Sequence, residues 1–186
     1  MSVTEINGKA ISVGGTVAVT NGSVTLLADG TLDFTPASNY NGAVNFTYTV
    51  SDGSLTDTGN VGITVTPDND APVAVNDAAA LNGAEDSTSG ILNATLLAND
   101  SDLDGDAISI TAIEGTALTG GVQSIAVTNG TVNIDAADNI TFTAAAGYNG
   151  PVSFSYTISD GSLTESATVS GTITPVNDVP VIIGTG

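Results

Sequence analysis

The chain repeats itself at whole-domain length, and this constrains its fold more than any single motif does. Thr20-Asn21-Gly22 returns as Thr128-Asn129-Gly130, Phe34 as Phe142, and Tyr40-Asn41-Gly42 as Tyr148-Asn149-Gly150. The run Ser51 to Thr56 returns as Ser159 to Thr164, and Asn69-Asp70-Ala71-Pro72 as Asn177-Asp178-Val179-Pro180. Each pair is offset by the same 108 positions (20 to 128, 40 to 148, 70 to 178). A repeat of that size is a domain, far longer than one turn of a solenoid. The spacing predicts a truncated repeat over 1–70 that lacks its opening strands, with Ser2–Ile6 facing Ser109–Ile113. It predicts a complete repeat over 71–178 and the first strand of a following repeat over 179–186, so the chain reads as a fragment of a longer array.

Within a repeat the hydrophobic period is two. Val44, Phe46, Tyr48 and Val50 alternate with polar residues, and Val152, Phe154, Tyr156 and Ile158 do so again. That is the pattern of a half-buried strand. Asp52-Gly53 and Asp160-Gly161 end these strands in turns, a second alternating run follows each, and Asn21-Gly22 and Asn129-Gly130 mark tighter hairpins. About seven short strands per hundred residues, with frequent turn signals and no helical period of useful length, describe a two-sheet sandwich. The predicted class is all-β: tandem Greek-key sandwiches of immunoglobulin-like form in an elongated array. Tyr40 and Tyr148, just ahead of the aromatic strands, read equally as tyrosine corners or as half-exposed loop residues.

The charge is one-sided. Twenty acids face one base, Lys9, and there is no histidine or cysteine. Nothing here neutralises phosphates, so nucleic acid and anionic membrane surfaces are excluded as partners. Absent cysteines exclude a disulfide framework, and no apolar run is long enough for membrane insertion. The acids concentrate in Asp100-Ser-Asp102-Leu-Asp104-Gly-Asp106. Two carboxylates about 5 Å apart repel by roughly 3 kcal/mol at an effective dielectric near 20. A hard divalent cation relieves that repulsion, and Asp-x-Asp-x-Asp-Gly is a spacing at which oxygens converge on calcium. As a self-contained loop the run lacks the bidentate glutamate of an EF-hand, since Thr111 stands at the twelfth position. A site with a dissociation constant of roughly 0.1–1 mM is expected instead.

Together these elements resemble the cadherin-like repeats, of tandem-95 and VCBS type, found in large secreted bacterial RTX-type adhesins. The resemblance rests on Asn69–Val73, Asn177–Val181, Glu85-Asp86-Ser87, Leu97–Asp106, and the block running from Tyr-Asn-Gly to Ser-Asp-Gly. It implies calcium at domain junctions. Asp68, Asn69 and Asp70 would form the linker, Asp100 and Asp102 with Asp104 the acidic loop, and Asp160 the strand-end carboxylate. Glu85 would face the next linker at Asn177 and Asp178. Pro67 replaces the usual leading aspartate and no Asp-Arg-Glu triplet precedes Tyr48 or Tyr156, which implies one or two ions per junction rather than three.

Each site residue also has a plainer reading. Asp104 and Asp106 suit a solvated loop that keeps the chain soluble. Asp160, like Asp52, fills a turn position that favours aspartate, and Asn69 and Asn177 suit turns before proline. The leading function is a calcium-rigidified structural extender of a cell-surface adhesin, supporting attachment or biofilm formation and held to neighbouring repeats. The alternative is a carbohydrate- or protein-binding module of the same adhesin, although the chain has no tryptophan and its four tyrosines sit at repeat-equivalent positions. Catalysis is not expected without histidine and without paired acids in a cleft. The staggered ends also suggest head-to-tail self-association, one chain's tail pairing with the next chain's open edge.

Overall fold

The computed structural model describes residues 1–179, so the strand expected over 179–186 lies outside the described residues save for Val179. The chain divides into two compact units, Met1–Asp68 and a second from Asn69 onward. It is almost entirely β.

Unit 1 contains β1 (Ser2–Ile6), β2 (Lys9–Ala10), β3 (Thr16–Val19), β4 (Gly22–Leu26), β5 (Leu32–Pro36), β6 (Gly42–Ser51) and β7 (Thr56–Val65). They form one sheet in the order β2-β1-β6-β7 and another in the order β3-β4-β5. Alternation decides which side chains go inside. Val44 and Phe46 from β6 are buried with Ile6, Val17 and Val24, so both sheets contribute to one core. β3 and β4 are joined through Asn21, whose positive φ of 63° suits a tight turn.

Unit 2 repeats these strands and adds a lead-in. It comprises β8 (Gly83–Ala84), a single helical turn α1 (Asn93–Leu96), β9 (Ser109–Ile113), β10 (Thr116–Ala117), β11 (Gln123–Val127), β12 (Gly130–Ile134), β13 (Ile140–Ala144), β14 (Gly150–Ser159) and β15 (Thr164–Thr174). The sheets run β10-β9-β14-β15-β8 and β11-β12-β13. β14 pairs with β15 without interruption from Gly150↔Ile173 to Ser159↔Thr164, and β6 pairs with β7 in the same way. Phe142 and Phe154 meet across the core with ring centroids 6.1 Å apart, as Phe34 and Phe46 do at 6.4 Å. A buried aromatic side chain contributes about 1.5–3 kcal/mol by leaving water.

The helical turn escaped the periodicity reading because four residues carry no period. Leu92, its N-cap, makes no capping hydrogen bond. Burial of Leu92 and Leu96 holds it instead, with the Asn93 side chain accepting from the Ile140 amide and donating to the Asp138 carbonyl. The corner tyrosines behave alike in both units. Tyr40 donates to the Ala43 carbonyl and Tyr148 to the Pro151 carbonyl, each at 2.7 Å and three residues downstream, unlike a corner that bonds upstream. The intervening Gly42 and Gly150 have φ of 123° and 135°, and a β-carbon there would crowd the tyrosine hydroxyl.

Candidate metal centre

The acidic loop lies along the segment that leads into unit 2, held to it much as one strand holds another. Val73 and Ser101 form an antiparallel bridge, with Val73 donating to the Ser101 carbonyl at 2.7 Å. On one side of it the Val75 amide donates to Asp100 Oδ1 at 2.7 Å. On the other the Asp70 amide donates to Asp104 Oδ2, also at 2.7 Å. Asn99 adds bonds to the carbonyls of Val75 and Asn76. Carboxylates thus take the place of backbone carbonyls along this ladder, and they fix the path of residues 70–76.

Asp102 organises the loop from inside. Its Oδ1 accepts from the amides of Asp104 and Asp106, which bends the chain back through Gly105 at a φ of 82°. Its Oδ2 is buried and has no hydrogen-bond partner. A carboxylate oxygen left in that state costs on the order of 1–3 kcal/mol or more.

Asp160 closes the other side. Its Oδ1 accepts from the amides of Ser162 and Leu163 at 2.6 and 2.7 Å, which is the turn role the sequence allowed. Its Oδ2 accepts from the Asn69 side chain at 2.7 Å, so the same carboxylate also holds the lead-in. These donors keep the Asp160 carboxyl below the usual carboxylate range, Leu163 N–H first, then the Asn69 amide and Ser162 N–H.

Beneath the loop lies a buried cluster that sequence reasoning missed. Tyr156 from β14 directs its hydroxyl at Asp77 Oδ2 (2.8 Å), with the carbonyls of Leu96 (3.0 Å) and Val75 (3.2 Å) and Asp100 Oδ2 (3.3 Å) around it. One hydroxyl proton therefore faces four oxygens. Burial pushes the Asp77 carboxyl up, against the pull of the Tyr156 hydroxyl. Burial likewise raises the phenol, and both aspartates push it the same way. The signal in the sequence was Asp77 itself, one acid inside the otherwise uncharged run Ala71–Ala84.

The remaining candidates lie elsewhere. Glu85 is buried; its Oε1 accepts from the Val176 amide at 2.7 Å, next to Asn177 and Asp178 where the chain leaves β15. Asn177 bonds only weakly to the Asp178 carbonyl at 3.4 Å. Asp106 is exposed and contributes its amide to the loop. Asp68, the last residue of unit 1, is exposed.

Among the described residues no three acidic side chains stand at metal-ligand spacing, because these carboxylates are turned toward backbone amides. By type, however, the donors fit calcium. All are oxygens, one carboxylate oxygen is buried and unpartnered, and unit 2 contains no basic side chain to balance the charge. Asp100, Asp102, Asp104 and Asp160, with Asn69 and Asp70, would hold the ion. It would supply positive charge and bonds to oxygens from both the lead-in and the loop.

The sequence profile of the family described as "Cadherin-like domain" matches residues 1–66 and again 68–174. No curated protein matches the chain. Among solved structures, the chain is similar at 17% identity to the endo-fucoidan hydrolase MfFcnA4 of glycoside hydrolase family 107, covering 94% of this chain and 24% of that one with a TM-score of 0.34. The related hydrolase MfFcnA9 gives 17% identity, 92% and 28% coverage and a TM-score of 0.30. A chimeric titin Z1Z2 bearing a decorin peptide gives 11% identity, 92% and 82% coverage and a TM-score of 0.28. The chain spans about a quarter of the length of the two hydrolases.

Proposed function

The chain belongs to the cadherin-like domain family, and from that premise we propose that it is a calcium-stiffened structural segment of a bacterial surface adhesin. In this reading it is a piece of a stalk built from tandem Greek-key sandwiches, secreted, non-catalytic, and serving attachment or biofilm formation. No helix among the described residues is long and apolar enough to cross a membrane.

One observation carries the proposal. The first two residues of unit 2, Asn69 and Asp70, are bonded to Asp160 and Asp104, and a buried, unpartnered oxygen of Asp102 belongs to the same loop. Calcium there would neutralise clustered carboxylates and fasten the lead-in to its domain, removing rotational freedom from the link. With the ion gone, repulsion among the acids would oppose the few hydrogen bonds that hold residues 69–70. Glu85 and the Asn177-Asp178 pair extend the same logic to the segment that follows β15.

Titration calorimetry with calcium tests this. Binding with a dissociation constant of roughly 0.1–1 mM is expected, lost in Asp102→Asn and weakened in Asp160→Asn, with little heat from magnesium. No calcium heat in the unaltered chain would refute it.

A further inference from the structure

A strand at the edge of a sheet leaves the main-chain groups of its outer side unpaired, and folds shield such edges by shortening, covering, bending or charging them. Unit 2 shields its other edges. β8 and β10, which end the larger sheet, have two residues each. β13, at one end of the smaller sheet, is covered where Thr88 bridges Thr143 and the Ser89 amide donates to the Phe142 carbonyl. β11, at the other end, has none of these devices. Gln123–Val127 pairs with β12 in unbroken register, and the chain carries neither charge nor proline from Gly115 to Ile134.

Register decides which groups of β11 face outward. Phe142 bonds to Ser89, away from β12, so its partner Val132 bonds toward β11. Val132 then exchanges hydrogen bonds with Ile125, as Gly130 does with Val127, and the N–H and C=O of Ser124 and Ala126 point away from the sheet. Gln123 fixes the start of the strand, accepting from the Thr119 amide at 3.3 Å and donating to the Ala117 carbonyl at 3.1 Å. Val122, just before it, is 81% exposed.

We propose that β11 is an interaction edge that pairs antiparallel with β11 of a second copy of this chain, about a twofold axis at Ile125. Ser124 of each copy then faces Ala126 of the other, the two exchange main-chain hydrogen bonds, and two three-stranded sheets become one. Ile125 meets its own counterpart on the core face, and Val122 lies opposite Thr128. Ser124 and Ala126 present small side chains on the exposed face, so nothing bulky bars the approach. Charge admits a like partner here. Asp138, whose Oδ1 accepts from the Gly121 amide, stands at one end of the edge. Pairing sets the two Gly121 positions about 26 Å apart at a rise of about 3.3 Å per residue, well beyond the screening length of about 8 Å in physiological salt. The equivalent edge of unit 1, β3, is guarded. Gly14, at a φ of 79°, donates to the Leu26 carbonyl while Gly15 accepts from the Leu26 amide, which is a bulge that bends the edge away.

The chain has no cysteine, so single-cysteine variants of the full chain read the register directly. Ser124→Cys mixed with Ala126→Cys under mild oxidation is expected to give mostly the mixed disulfide. Directly opposite Cα atoms lie about 5.5 Å apart and suit that bond, whereas diagonal neighbours lie about 7–8 Å apart. Ser153→Cys, exposed on β14 inside the other sheet, sets the level reached by collision. One strand pair is a small contact, so the parent chain associates weakly and its mass is followed by sedimentation at high concentration. Ala126→Pro removes an outward N–H from each copy and no internal bond, and should weaken that association about tenfold. Amide exchange at Ser124 and Ala126 should slow with concentration, and exchange at Thr16 and Ala18 should not. Crosslinking no greater than in Ser153→Cys, a statistical mixture of mixed and like pairs, equal protection of β3, or association unchanged by Ala126→Pro would each overturn the proposal.

Discussion

Tyr48 and Tyr156 occupy the same place in the two units, opposite Ile6 on β1 and Ile113 on β9, yet their surroundings differ. Tyr156 is fully buried and its hydroxyl sits among four oxygens. Tyr48 is half-exposed, with its ring across Gly59 and no hydrogen bond to its hydroxyl among the described residues. The contrast extends along the outer strands. Val61 and Val65 are half-exposed where Val169 and Ile173 are buried, as are Leu32 and Phe34 against Ile140 and Phe142. The inner strands differ only toward one end: Val24 and Val132, Val44 and Val152, and Phe46 and Phe154 are all buried, whereas beyond Tyr48 the half-exposed Val50 occupies the same position as buried Ile158. The same strand set thus makes a closed core only where the lead-in and α1 lie over it. In unit 2 that cover also brings Asp77 and Asp100 to the Tyr156 hydroxyl.

Core truncation should break the symmetry most. Phe142→Ala is expected to cost about 3–5 kcal/mol and Phe34→Ala about half as much, because a half-exposed ring leaves a smaller cavity. Denaturant unfolding checks this, and equal costs would mean that unit 1 is as closed as unit 2.

The tyrosines sharpen the comparison. Tyr156→Phe removes the hydroxyl that serves buried Asp77, at a cost of about 1–3 kcal/mol. Tyr48→Phe should stay within about 0.5 kcal/mol of the parent. Gly171→Ala should cost about 1–3 kcal/mol, since its β-carbon would press on the backbone of Leu81 and Asn82. The equivalent position of β7 carries Ile63, opposite Val44 as Gly171 is opposite Val152.

The smallest effect is shared. Asp52 and Asp160 are both held below the ordinary carboxyl value of 3.8, first by the amides of Leu55 and Leu163. Between the depressed folded value and 3.8 the unfolded chain binds more protons, so stability rises with pH there. The stabilisation is complete above that window and is lost as pH falls through the folded value. Asp52→Asn and Asp160→Asn should each flatten the acid limb of a stability–pH curve. A limb unchanged in both would remove the turns from the account.

The sheets were legible because alternation and Asp-Gly turns are local, and both units fold on them. The acidic loop was legible as a run of carboxylates in sequence, and the resemblance of Asn69–Val73 and Leu97–Asp106 to a known repeat set it beside the linker, where Asp104 accepts from the Asp70 amide. Asp77 was not, because its partner Tyr156 lies 79 residues away and looks like one more core aromatic in an alternating strand. Nor was α1, whose single turn depends on Leu92 and Leu96 finding a core built by other strands. The dual role of Asp160 was half legible. Asp-Gly announced the turn, while the bond to Asn69 depends on tertiary structure.

The most direct measurement is thermal unfolding of the full chain in EDTA, then in rising calcium, with magnesium as control, resolving the transitions of the two units. At tenfold excess over the dissociation constant a bound ion should add about 1.4 kcal/mol. The account predicts that calcium raises the transition of unit 2 by several degrees and leaves unit 1 unchanged, and that Asp102→Asn abolishes the shift. Identical melts in EDTA and calcium, or an equal rise in both units, would contradict it.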